Sequence, residues 1–183
     1  MPARHPLPRR PGRPADPQLR QRRCEEILQA ATEVFARCGY AQTDVQVIAD
    51  HVGVGKGTVY RYFSSKEKLF LAVVDRGLRQ MSEAVERATS LTCQPLQRVA
   101  AGIRAYLTFF DEHPQLVELL IHERALFRDR RNPTYFVHRD ANLGQWQDLY
   151  LQLIRDGVIR DVPVERITDV ISGLVYGTML TNS

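Results

Sequence analysis

The strongest constraint in this sequence is a pair of short helical runs held apart by residues that extend neither. The first, Val45–Val52, places Val45, Ile48, Ala49 and Val52 on one side at helical spacing. The second, residues 56–63, sets Val59 and Phe63 four apart, and Gly53, Val54 and Gly55 form the tight connection between the two. Two short helices joined by a glycine-containing turn make a helix-turn-helix, whose first helix crosses the phosphate backbone while the second lies in the major groove. With Val59 and Phe63 turned to the core, Lys56, Thr58, Tyr60, Arg61 and Tyr62 occupy the outer faces of the second helix. Lysine and arginine bond guanine edges or phosphates, threonine bonds either or touches a thymine methyl, and tyrosine hydroxyls suit phosphate oxygens. Gly57 lets the helix start approach closely, and the free amides there favour an anion.

The rest of the chain is also patterned as helix. From about Pro17, Ile27, Ala30, Ala31, Val34, Phe35 and Cys38 recur at helical spacing, and Gly39 supplies a stop. A longer helix opens at Ser64-Ser65-Lys66-Glu67, where either serine can cap it, and carries Leu69, Val73, Met81 and Val85 on one face. Pro95 begins a helix with Leu96, Val99, Ile103, Tyr106 and Phe110, which ends near His113-Pro114. Another covers about residues 115–127 and leads into a charged loop at 128–132; Pro133 then begins a long segment through Trp146, Tyr150 and Ile154. The last starts near Pro163 with Ile167, Val170, Ile171, Leu174, Val175 and Thr178 in phase. No stretch alternates as a strand does and no repeat is present, so the expected fold class is all-α.

Charge is distributed unevenly. Residues 1–23 hold seven arginines against Asp16 alone, residues 24–80 hold seven basic and seven acidic groups, and residues 81–183 hold 11 basic and 13 acidic. The positive excess therefore sits in the first half, where a polyanion is best held. Residues 1–16 are rich in Pro and Arg and read as a disordered basic arm. They lack the apolar stretch of a signal peptide, and no run of about 18 apolar residues offers a membrane span. Cys24, Cys38 and Cys93 are odd in number and widely spaced, which argues against a disulfide framework and suits a reducing cytoplasm.

Residues 23–70 resemble the N-terminal domain of the TetR family of bacterial regulators. Ile27-Leu28, Ala30-Ala31, Phe35 and Gly39-Tyr40 match its first helix; Thr43, Ile48-Ala49 and Gly53-Val54 match its second helix and turn. Residues 56–63 match the recognition helix and residues 65–70 the start of the fourth. The resemblance implies that Lys56, Thr58 and Arg61 face bases or nearby phosphates. It implies that Tyr60, Tyr62 and Lys66 hold the DNA backbone, and that Thr43 and Gln46 contribute from the second helix. Gly55 and Gly57 lie at the same surface. Gly55 stands where a serine is common, which removes a cap, and Asp44 stands where a hydroxyl residue is common and reads as a helix cap. Arg10-Pro11-Gly12-Arg13-Pro14 is similar to a minor-groove hook, with Arg10 and Arg13 entering a narrow A·T-rich groove.

The resemblance also implies the architecture: an N-terminal three-helix helix-turn-helix domain joined to a C-terminal helical bundle for ligand binding and dimerisation. The expected division is a basic arm at 1–16, a DNA-binding domain at 17–80 with its motif at about 43–63, and a ligand-binding and dimerisation domain at 81–183. Family members usually continue into a further dimer-forming helix, so a truncated C-terminus is expected. Gly173 and Gly177, four apart, suit a close dimer seam, although ordinary core packing explains them nearly as well. The implied partners are a double-stranded DNA operator, a second copy of the chain and a small-molecule effector, with no membrane and no cofactor. Candidate pocket residues are Tyr106, Phe110, Phe127, Phe136, Trp146 and Tyr150, although aromatics at helical spacing are most often core. His122, Glu123 and Arg124 offer a polar contact to that pocket, but an exposed helix face is the better reading.

Enzyme chemistry finds no footing in the motifs. His122-Glu123 begins like H-E-x-x-H, but Leu126 occupies the second histidine position. Residues 53–57 carry a lysine among glycines at the wrong spacing for a phosphate-binding loop, no G-x-S-x-G is present, and no His/Cys/Asp grouping has metal-ligand spacing. The expected function is a sequence-specific DNA-binding regulator, a ligand-responsive repressor on a palindromic operator. The competing class is an interaction module that recruits a protein partner with DNA as its platform.

Overall fold

Residues 16–181 are described by a computed structural model, and among them every regular element is an α-helix. α1 (Pro17–Gln42) starts where proline costs least, because the first-turn N–H it lacks has no intrahelical partner. The Asp16 carboxylate accepts the Gln18 N–H at 2.9 Å and caps it. Its buried stripe runs Ile27, Leu28, Ala30, Ala31, Val34, Phe35. The backbone breaks at Gly39, whose φ of +71° is a left-handed value that a side chain resists, and helical geometry then resumes to Gln42. The expected stop at Gly39 is therefore an internal break.

α2 (Val45–Val52) and α3 (Lys56–Tyr62) fall where the two short runs predict them. Asp44 caps α2 by accepting the Gln46 N–H at 2.9 Å, and Gly53, at φ +69°, closes it by donating to the Ala49 and Asp50 carbonyls. Val45, Ile48 and Ala49 of α2 and Val59 of α3 are buried in the same core as the α1 stripe, while Val52 and Phe63 are half-buried at its edge. Each fully buried Val or Ile contributes about 1.5–3 kcal/mol by leaving water, and burying Val59 sets what α3 presents outward.

α4 (Lys66–Ser90) is capped by Ser65, whose hydroxyl accepts the Lys68 N–H at 3.1 Å. At 25 residues it spans about 37 Å. It packs on α1 through Leu69, Phe70, Val73 and Val74, then continues against α5 (Pro95–Glu112) and α7 (Thr134–Arg155). α6 (Pro114–Leu126) leans on both α1 and α4, and α8 (Val164–Thr181) on α5 and α7. Two glycines allow close crossings. A Cβ on Gly77 of α4 would lie 2.6 Å from Leu116 Cδ1 of α6, and one on Gly102 of α5 would lie 2.3 Å from Trp146 Cη2 of α7. One apolar cluster runs from Ile27 to Met179, with a smaller one around Val99, Leu149, Tyr150 and Leu153.

The stretch 122–124 departs from the expected exposed face. Glu123 is 2% exposed. Its Oε1 accepts from Arg130 and from the N–H and hydroxyl of Thr134, the latter two at 2.9 and 2.6 Å, so it pins the first turn of α7 to α6. His122 is half-buried, its ring beside Gly39 of α1. Only Arg124 is exposed, and it donates to the Tyr176 hydroxyl at 2.7 Å.

Candidate nucleic-acid interface

The outer surface of α3 is built by what its inner surface must bury. With Val59 inside, Tyr60 is 40% exposed, Arg61 is exposed with its guanidinium 6.0 Å from the Tyr62 ring, and Thr58 and Tyr62 are half-buried. A Cβ at Gly55 or Gly57 would meet no side chain or packed backbone atom of the described residues within 4 Å. The smallness of these two residues thus serves no packing among the described residues.

The arrangement gives three members of the expected set a tighter assignment. Lys56 Nζ donates to Asp44 Oδ1 at 2.6 Å, so this lysine is held by a counterion. Asp44 thereby serves as both cap and partner. Its carboxyl sits below the ordinary carboxylate range because it accepts the Gln46 amide and then the Lys56 ammonium, while the ammonium is raised by the same bond. Gln46 is engaged through Nε2 with Asp50 Oδ1 at 2.6 Å. Lys66 Nζ donates to the Thr43 and Ala41 carbonyls at 2.9 and 3.2 Å and lies 4.6 Å from the centre of the Tyr40 ring.

Thr43 requires correction as a direct DNA-contact residue. It is 4% exposed and its hydroxyl donates to the Gly39 carbonyl at 2.7 Å. Its side chain holds the corner between α1 and α2, and the surface there belongs to its neighbours. Arg10 and Arg13 lie outside the described residues.

The Lys56–Asp44 pair leads to an expected outcome. Asp44→Asn keeps a side-chain oxygen for the cap but releases Lys56. DNA affinity should rise about 3- to 10-fold with a steeper salt dependence, at nearly unchanged melting temperature. Anisotropy titrations at two salt concentrations read both quantities, and a weaker complex would show that the pair orients Lys56 for the DNA.

A cavity of about 270 Å³ lies between α4, α5, α7 and α8. Exposed Glu86, Arg98 and Gln145 mark its mouth, and buried Tyr106 and Tyr135 its floor. The two floor hydroxyls meet at 2.9 Å, and that of Tyr106 also lies 3.5 Å from Met179 Sδ. Burial pushes both phenols up, so they stay neutral. Among the lining residues, His138 Nε2 bonds Asp75 Oδ1 of α4 at 2.8 Å.

Of the six aromatics expected at a pocket, Tyr106, Trp146 and Tyr150 line this cavity. The other three pack elsewhere. Phe110 is core one turn beyond Tyr106, Phe127 is wedged against Tyr40 and Phe70, and Phe136 lies tilted against Tyr176 under the Arg139 guanidinium. The polar lining residues His138, Asn142 and Arg98 are absent from the sequence expectation. Helical phase carries the signal: residues 138, 142, 146 and 150 share one face of α7, and 98, 102 and 106 one face of α5.

Residues 27–73 match the family described as "Bacterial regulatory proteins, tetR family". The HTH-type transcriptional activator FasR of Mycolicibacterium smegmatis is 36% identical over 101 residues, which cover 55% of this chain and 46% of that protein. The matched part is thus about half of that relative's length. The HTH-type transcriptional regulator Rv1556 of Mycobacterium tuberculosis is 30% identical over 181 residues, covering 93% of this chain and 83% of its own. Two solved structures share the fold. FadR from Bacillus subtilis in complex with stearoyl-CoA is 23% identical with a TM-score of 0.70, covering 86% of this chain and 85% of its own. AibR in complex with isovaleryl coenzyme A and operator DNA is 22% identical with a TM-score of 0.66, covering 84% and 83%.

Proposed function

This chain belongs to the tetR family of bacterial regulatory proteins, DNA-binding transcriptional regulators, and from that premise we propose that it is a repressor released from a palindromic operator by an acyl-CoA thioester. The observation that carries the DNA reading is the outer face of α3, where Tyr60 and Arg61 project beside two glycines left uncrowded by the described residues. Arg61 and Thr58 read base edges or nearby phosphates, Tyr60, Tyr62 and Lys66 hold the backbone, and the α3 amides face a phosphate. Residues 17–80 form the DNA-binding unit, and residues 81–183 the effector and dimer unit.

Two copies of the chain pair through α8, where Val170 and Leu174 are 56% and 64% exposed beside exposed Gly173. Pairing sets two recognition helices about 34–36 Å apart, one turn of DNA. The cavity supplies the switch. Its aromatic and aliphatic walls suit an acyl chain, and Arg98 at its mouth suits a phosphate-bearing headgroup. FadR and AibR, both solved in complex with acyl-CoA thioesters, support that effector class. Occupancy favours a spacing of the DNA-binding units that misses successive grooves, so affinity falls by as much as the effector prefers that state. No helix among the described residues is long and apolar enough to cross a membrane, and the proposed site of action is the cytoplasm.

Titration of the chain against its own upstream DNA, with and without acyl-CoA, tests this reading. Tight, salt-sensitive binding to one palindrome that acyl-CoA weakens is expected; weak binding to every fragment together with a stable protein partner would favour a recruiting module. FasR is named an activator, so transcription from the bound promoter gives the sign: loss of the protein should raise it. Removal of residues 2–16, which include Arg10 and Arg13, should lower affinity. It should also reduce the slope of log K against log salt by about 0.9 for each phosphate no longer neutralised. An unchanged slope would dismiss the minor-groove role of that segment.

A further inference from the structure

Gly102 occupies the interior of the 18-residue α5, where glycine costs about 1 kcal/mol relative to alanine. Its backbone gives no reason for it, because among the described residues positive φ occurs only at Gly39, Gly53 and Gly157. The reason is Trp146. A Cβ at Gly102 would lie 2.3 Å from Trp146 Cη2, and 3.1 and 3.2 Å from Cζ2 and Cζ3. The indole rests on bare backbone in a notch that glycine alone leaves open.

Both residues line the cavity, part way between mouth and floor. On α5, exposed Arg98, buried Gly102 and buried Tyr106 succeed one another by single turns; on α7, Trp146 follows Gln145 at the mouth and lies three turns from Tyr135 at the floor. The space is about 270 Å³, just under the roughly 300–1,000 Å³ common for small-molecule sites. In so small a space the position of one indole governs what fits. We propose that Trp146, seated on Gly102, is the residue that limits the size of the acyl group the cavity accepts. This rests on the acyl-thioester reading above and names its selectivity determinant.

The two partners act with opposite sign. Trimming the ring enlarges the space, whereas adding a methyl at position 102 drives the ring off its seat and into the space. Trp146 is the single tryptophan of the chain, so its emission reports directly on an occupant beside it.

The experiment uses the full chain, butyryl- to stearoyl-CoA measured by calorimetry, and free coenzyme A as control. Trp146→Ala, or Trp146→Phe should the first fail to fold, is expected to raise the ratio of long-chain to short-chain affinity. The change should be on the order of tenfold, the weight of about two buried methylenes. Gly102→Ala should lower that ratio by a similar factor, and binding to the unaltered chain should shift the tryptophan emission. A merely structural role would weaken every chain length alike. If acyl-CoA binds and releases DNA while the ratio stays the same in both variants, the selectivity role is overturned and the effector reading stands. If no acyl-CoA binds at all, both fall together.

Discussion

Arg61→Glu is expected to reduce affinity for the operator by about 100-fold or more while leaving the fold intact. Each phosphate or base contact of this kind is worth about 1–3 kcal/mol, and the proposed dimer would give up two of them. At about 1.4 kcal/mol per tenfold, that alone approaches or exceeds the stated reduction, and the new carboxylate adds repulsion. Folding is insulated because Arg61 is exposed and its guanidinium lies beside the Tyr62 ring, 6.0 Å from its centre; such surface changes shift stability by about 0.5 kcal/mol or less. Arg104→Glu, an equal change of charge at an exposed position on α5, is the control. Anisotropy titrations at one salt concentration compare them, and equal reductions in the two variants would sink the claim that α3 carries the contact.

Phe35→Ala carries the largest expected cost in stability. Phe35 is 0% exposed, edge-on to Phe70 at 5.2 Å and stacked on Tyr40 at 6.1 Å. Tyr40 and Phe70 both reach Phe127, so the ring cluster ties α1 and α4 to the end of α6. Removing a buried phenyl costs about 3–5 kcal/mol. For a chain of this length each kcal/mol lowers the melting temperature by about 2–4 °C, giving a fall of roughly 6–20 °C. Melting should remain one transition, because a single apolar cluster runs through both halves. A circular-dichroism melt at fixed protein concentration reads this; a fall under about 2 °C would mean the cluster is not a keystone.

Legibility in the sequence follows the range of the forces involved. α2 and α3 can be read because their ends are set locally, by Asp44 two residues from the amide it caps and by Gly53 turning left-handed. The outer face of α3 follows from burying Val59. The Lys56–Asp44 pair cannot be read, since it joins residues twelve apart across the turn. Thr43 misleads for a related reason: its hydroxyl answers to Gly39, whose break in α1 leaves a helical turn beyond it. In the cavity, Trp146 and Tyr150 stand out as aromatics, but helical phase is the better guide. Phe136 lies one residue from Tyr135 and shares Tyr176 as a ring neighbour, yet Tyr135 alone of the two lines the cavity. Glu123 is hidden because α6 buries Leu116, Val117, Leu119 and Leu120, a band that leaves no clean polar side from which to read it.

The crossing of α4 and α6 has a consequence for the shape of the response. Leu116 sits so close over Gly77 that the crossing is keyed, side chain into notch. Packed, keyed crossings do not stretch by degrees; they hold one register or jump to another. Under the proposed effector mechanism, each copy of the chain should therefore answer as a digital element. Intermediate effector doses would yield mixtures of gripping and released molecules, and no half-released species would accumulate. In single-molecule traces on DNA, dose would change the lifetimes of two fixed levels and leave the levels themselves where they are.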